Sequence, residues 1–194
     1  MTRLADERGG ALAKLLGILL VLAVCASGAV YVYGKTEQPL SADIAHTATS
    51  EGGREPTTVA VAPNVVVYVA EIVHNDGRLP VTIEGLAEQG DSTEPYVPIA
   101  IELGDGKTPK PTNGAFVPPS LDANTGIGVV VTYAINPNLD CSSYGARPSG
   151  PTPFPPLPLR LSTYGVDTMQ TVRPDLGLPK VSGITRASCE RALP

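Results

Sequence analysis

NVVVYVAEIV, residues 64–73, decides the fold class of this chain. Ten residues with no glycine or proline, rich in β-branched side chains and apolar on both parities, predict a central β-strand buried on both faces. The next residues, Asn75-Asp76-Gly77, read as a hairpin turn of residues that tolerate positive φ. Residues 80–86 then resume as a strand with Val81 and Ile83 on one face and Thr82 and Glu84 on the other.

Period-two alternation recurs along the chain. Val97, Ile99, Ile101 and Leu103 share a face in 96–103, as do Ile127, Val129, Val131, Tyr133 and Ile135 in 127–135. In 157–164 Leu157, Leu159 and Leu161 point inward while Arg160 and Ser162 point out, and Gly165 turns the chain into a last strand over 166–172. With a short run over 57–61 ended by Pro63, about seven strands separated by turn signals predict a mainly β domain of the immunoglobulin-like sandwich type, with a small barrel as the alternative. Twenty glycines and twenty prolines suit many short elements, and with no Trp and two Phe the core must be built from Val, Ile and Leu.

Ahead of this domain lies LLGILLVLAVCASGAVYVY, residues 15–33, without a charge. As a helix it is about 28 Å long, close to the ~30 Å of a hydrocarbon core. Arg3, Arg8 and Lys14 precede it and only Lys35 closely follows, which places the N-terminus in the cytoplasm. Tyr31 and Tyr33 fall where an outer aromatic belt belongs. A cleaved signal peptide is the competing reading. Ala26, Ser27 and Gly28 supply small residues for cleavage, but the apolar run exceeds the ~7–15 residues of a signal peptide. Cys25 reads as a small apolar membrane residue. The expected organisation is a cytoplasmic N-terminus (1–14), a transmembrane helix (15–33), a flexible linker (34–56) that is polar and aperiodic, and an extracytoplasmic β-sandwich domain (57–194).

Charge divides with the compartments. The residues before the helix carry a net +1 and those from Thr36 onward a net −7. An acidic outer domain has no electrostatic footprint for nucleic acid. Cys141 and Cys189 are the only cysteines outside the apolar run, and an oxidising exterior predicts one bridge between them, worth about 4 kcal/mol in the chain-entropy account.

On HNDGRLPVTIEGL (74–86) and LRLSTYGVDTMQTV (159–172), with a cysteine upstream of the second run, the chain resembles membrane-anchored extracytoplasmic proteins of high-GC actinobacteria. The likeness covers most of 57–173 and implies an immunoglobulin-like β-domain behind a membrane anchor. It carries no functional residue with it.

No catalytic, cofactor or metal motif stands out. His74 lacks a nucleophile-elbow partner, although Asp76 is near in sequence. It reads as a surface residue at a strand end, and His46 as a solvated linker residue. Glu71, Glu84 and Glu102 are read as solvated strand positions, and a hydrolase would have to assemble scattered carboxylates of this kind in one cleft. GDGK at 104–107 lacks calcium-loop spacing, and zinc-type Cys/His sets are missing. The stretch ARPSGPTPFPPLPLR (146–160) has six prolines between 148 and 158. It formally contains a P-x-x-P-x-R ligand pattern, but reads better as a stiff crossover held by Phe154. The expected function is therefore a membrane-tethered, non-enzymatic interaction module binding an envelope protein or a glycan, through 105–113, 146–154 or strand edges. The alternatives are a structural subunit of an envelope complex and a carboxylate-dependent hydrolase.

Overall fold

A computed structural model of the chain describes residues 3–43, 45–50, 58–88, 93–112, 114–174 and 176–193. Helix α1 (Arg3–Thr36) leads into strands β1 (Leu40–Ala42), β2 (His46–Thr49), β3 (Thr58–Val59), β4 (Val67–Asn75), β5 (Val81–Leu86), β6 (Tyr96–Gly104), β7 (Ser120–Leu121) and β8 (Thr125–Ile135). A 3-10 turn (Cys141–Ser143) follows, then β9 (Thr152–Pro153), β10 (Leu157–Thr163), β11 (Val166–Val172), β12 (Lys180–Val181) and helix α2 (Arg186–Ala192). The mainly β architecture behind one N-terminal apolar helix is the expected one.

Two sheets form the sandwich. One has the order β1-β4-β8-β6 with β2 also on β4, and the other the order β11-β10-β5-β7. Val67, Val69, Val73, Val129, Val131 and Tyr133 of the first sheet share one buried cluster with Val81, Ile83, Leu157, Leu159 and Leu161 of the second. The inward parities expected for β5, β8 and β10 hold, because strict alternation leaves each strand one apolar face to bury. A third sheet of short strands, β3-β12-β9, closes the sandwich end where β4 and β10 begin. Helix α2 adds to that end; it is capped reciprocally by Thr185 and Ser188 and tied through Cys189 to Cys141. The expected bridge is therefore in place.

Four expectations are corrected. Residues 34–56 are not a flexible linker as far as they are described: β1 and β2 pair antiparallel along one edge of β4. The pairing stops at Ala42–Val73 and resumes at His46–Ala70, which breaks the edge into two short pieces and makes it a poor template for another chain. Their threonines and alanines, read as spacer composition, are compatible with a half-covered edge strand. Residues 51–57, including the expected domain start at Thr57, lie outside the described residues.

In β6 a bulge between Pro98 and Ala100 shifts the register against β8, so Ile99 is 57% exposed. Tyr96 and Pro98 stand beside Ile135 and Tyr133 on the core side, in place of the expected Val97 and Ile99. The period-two rule carries no information across an inserted residue. The chain bends after β4, but the expected hairpin does not form: β4 and β5 lie in different sheets, and neither Asn75 nor Gly77 has positive φ. Buried Asn75 instead donates from Nδ2 to the carbonyls of Leu79 and Leu121 and accepts at Oδ1 from the Gly77 amide. Finally, Glu71 is not solvated: it lies on the core side of β4 between Val69 and Val73 and is 1% exposed.

Candidate binding surfaces

The end of the sandwich away from α1 is organised by Phe154. Its ring is fully buried, edge-on to Tyr133 at 4.9 Å and tilted against Tyr96 at 5.4 Å between centroids. Tyr96 in turn donates from its hydroxyl to the Ala60 carbonyl at 2.8 Å. The proline-rich run is thus a stiff crossover pinned by one aromatic anchor, as expected. Beside it lies a shallow groove with Phe154 and Pro174 in its wall and Arg173 and Lys180 among its lining residues. Leu176 stands out of this groove at 65% exposure, while its carbonyl accepts from the Ala45 amide at 2.9 Å. Gly177 follows at φ +93, against the Ala45 carbonyl with no room for a Cβ. The exposed leucine is therefore presented by a segment whose backbone is fixed.

The other segment singled out from the sequence, 105–113, is described as far as Thr112, and Asn113 lies outside. It folds over the outer face of the first sheet beside Val130. The Asp105 carboxyl accepts from the Thr108 hydroxyl at 2.7 Å and from the amides of Lys107 and Thr108 at 2.8 and 2.7 Å. These bonds, the Thr108 hydroxyl foremost, hold its pKa down at about 2. Glu102 accepts from both the amide and the hydroxyl of Thr112. The loop spends its carboxylates on its own backbone, which leaves little for a ligand.

Nor does the fold bring the other chemistry-bearing residues together. His74 bonds through Nε2 to Asp43 Oδ2 at 3.0 Å, not to Asp76. His46 is in β2 rather than a spacer. Glu71, Glu84 and Glu102 sit on three different strands, the first facing the core. Burial pushes the Glu71 carboxyl up to about 8, and its Oε2 has no hydrogen-bond partner. The Tyr133 hydroxyl is raised well above the usual range, foremost by its own burial; the Glu71 carboxylate adds to this and Arg173 acts the other way. Among the described residues no group of three or more His, Cys, Asp or Glu is placed to hold a metal.

The third surface is the helix exit, which sequence reasoning missed. Residues Leu12–Thr36 are apolar enough and long enough to cross a membrane, the property of an anchor and of a signal sequence alike. The last turn of the helix is docked on the domain. Tyr33 Oη accepts from the Arg78 amide at 2.7 Å, and Lys35 Nζ donates to the Asp167 carbonyl at 2.6 Å. A groove of about 560 Å³ between Ala29, Val30, Tyr33 and the β4–β5 turn marks this junction. No family model matches the chain, and neither a curated protein nor a solved structure matches it.

Gly77 explains how the helix is received. A Cβ there would lie 2.6 Å from Pro39 Cβ and 2.9 Å from Tyr33 Oη. Its role is close approach of two segments, not turn conformation. Gly77→Val is therefore expected to lever the helix end off the domain. Limited proteolysis at 36–39 should become several-fold faster while the melting temperature of the sandwich changes little, since the residues crowded, Pro39, Tyr33 and Asn75, lie outside the apolar core cluster. Unchanged cleavage would show that the junction is not held at Gly77.

Proposed function

We propose that this chain is a membrane-anchored binding module without catalytic activity, an immunoglobulin-like sandwich presented on the extracytoplasmic side and binding an envelope protein or glycan. The observation that carries the reading is the polarity of the fold. The helix docks on one end of the sandwich, and the disulfide-closed cap with its Arg173–Lys180 groove occupies the other.

Several features support it. If β1 and β2 count as one broken strand, the long strands in chain order run first-second-fifth-fourth in one sheet and seventh-sixth-third in the other. That is the order of constant-type immunoglobulin sandwiches, whose end loops commonly recognise partners. The bridge fits an oxidising exterior, and the cationic residues ahead of the apolar helix fit an inside N-terminus. The cap lies about 30 Å beyond the helix exit, given nine-residue strands at ~3.4 Å per residue, and so clears the lipid headgroups. Exposed Leu176, in a segment that carries Arg173, Asp175 and Lys180, suits a partner with an apolar patch in a polar rim.

The test is site-specific photo-crosslinking in intact cells. A photoreactive side chain at Leu176 is expected to yield one discrete adduct, and the same group at Ile99, on the other edge strand of the first sheet, none. Equal labelling from both positions, or none from Leu176, would overturn the groove beside Leu176 as the binding face. Failure of an impermeant protease to reach the domain would overturn the topology.

A further inference from the structure

We propose that the sandwich rests on the bilayer itself, with the Tyr164–Gly165 tip of the β10–β11 hairpin seated in the headgroup layer beside the helix. This rests on the anchor reading above and adds to it a second, peripheral lipid contact.

The first observation is conformational. Tyr164 and Gly165 form a two-residue turn with φ of +48 and +80. Turns with both central residues at positive φ favour Asn-Gly, because a bulky side chain is disfavoured there. The chain nonetheless holds a tyrosine in this conformation, with its ring 67% exposed. An unfavourable backbone state kept at an exposed aromatic points to work done by the ring outside the domain.

The second observation is position. Gly34 packs so closely on Val166 that a Cβ would lie 3.1 Å from Cγ1, and Lys35 bonds the carbonyl of Asp167. The hairpin tip is therefore level with the last turns of the helix. From Leu12 to Thr36 every helix residue but Val30, Tyr33 and Gly34 is exposed, so the helix leaves the domain rather than lying along it. The candidate span Leu12–Thr36 includes Lys14 and Lys35, and the uncharged run 15–33 between them, about 28 Å of helix, fills the ~30 Å of hydrocarbon and leaves Lys35 at headgroup level. The last turn of the helix therefore emerges among the headgroups, and Tyr164 emerges with it. Tyr31, exposed on the helix at that level, gives the same amphipathic ring chemistry.

The third observation selects the lipid. Lys35 and Arg78 at this end are outnumbered by Glu37, Asp76 and Asp167, so the rim has no positive excess to draw anionic lipid. The ring carries the contact, and a neutral zwitterionic surface is enough.

The absence of tryptophan from the chain supplies the probe. The full-length protein carrying Tyr164→Trp, a conservative aromatic exchange, is reconstituted into phosphatidylcholine vesicles with brominated acyl chains. Its emission is expected to be blue-shifted and strongly quenched, equally at low and high salt, whereas that of Leu176→Trp, on the side of the sandwich level with the middle of β4, stays water-like and unquenched. If the protein floats with the vesicles but Tyr164→Trp is no more quenched than Leu176→Trp, the tip does not touch lipid and the proposal is wrong while the anchor stands. If the protein does not float with the vesicles, the anchor reading fails and takes the proposal with it. Quenching that vanishes at high salt would assign the contact to charge and overturn the role of the ring.

Discussion

Glu71→Met is expected to stabilise the domain by about 3 kcal/mol at pH 7. Glu71 is sealed in the core side of β4 with Oε2 unpartnered, and desolvation raises its pKa from 4.5 to about 8. The unfolded chain releases this proton near pH 4.5, whereas the folded chain keeps it until about pH 8. Between those values the folded state binds more protons than the unfolded state, so stability falls as pH rises. The contribution is intact below pH 4.5, lost progressively on the way up, and fully lost above about pH 8. Methionine fills a similar volume and has nothing to ionise. Denaturant titrations at pH 4.5, 7 and 8.5 should show the gap between wild type and variant widening with pH. A gap that stays constant would mean that Glu71 is charged and solvated in the native protein. Cores reject an isolated carboxylate because water is not there to solvate it, so the native protein at neutral pH carries Glu71 as the neutral acid.

The double variant Cys141→Ala, Cys189→Ala is expected to lose about 4 kcal/mol, from release of a 48-residue separation in the unfolded chain. The loss should not fall on the sandwich alone. Cys189 is buried in α2, a helix of seven residues too short to persist without tertiary support. With the tether gone, α2 should fray first, and amide exchange in 186–193 should accelerate well beyond that in β4 and β8. Uniform acceleration everywhere would mean that the bridge acts only through the unfolded ensemble and not by holding the cap in place.

That division between cap and sandwich follows how the fold was legible. Where a strand has one apolar face and one polar face, as in β5 and β10, a reading of residue types is enough, because only one register buries Val81 and Ile83 or Leu157, Leu159 and Leu161. The helix is equally plain, since nineteen consecutive uncharged residues have no other stable use than burial in lipid or a signal role. The disulfide follows from a count of two cysteines and a compartment. Elsewhere local pattern gave way. Leu40 reads as part of a spacer, yet its amide and carbonyl are both bonded by the side chain of buried Gln170, 130 residues away. Nothing near Leu40 in the chain foretells that partner. Glu71 follows the strand parity that puts Val69 and Val73 inside, and a reading by residue type puts it outside. Geometry overruled polarity there, and the raised pKa is the consequence.

The amino-acid sequence by itself therefore determined an apolar N-terminal helix, a β-rich domain with one bridge, and the inward faces of its regular strands. These rest on hydrophobic periodicity and burial, which are local and additive along the chain. Only the tertiary structure decided that the supposed linker is an edge strand, that a bulge turns Ile99 outward, that Gly77 makes room for Tyr33, and that the helix and the Cys141–Cys189 cap lie at opposite ends. Each of these depends on which residues meet across long sequence separations, and no periodicity within a segment records its distant neighbours.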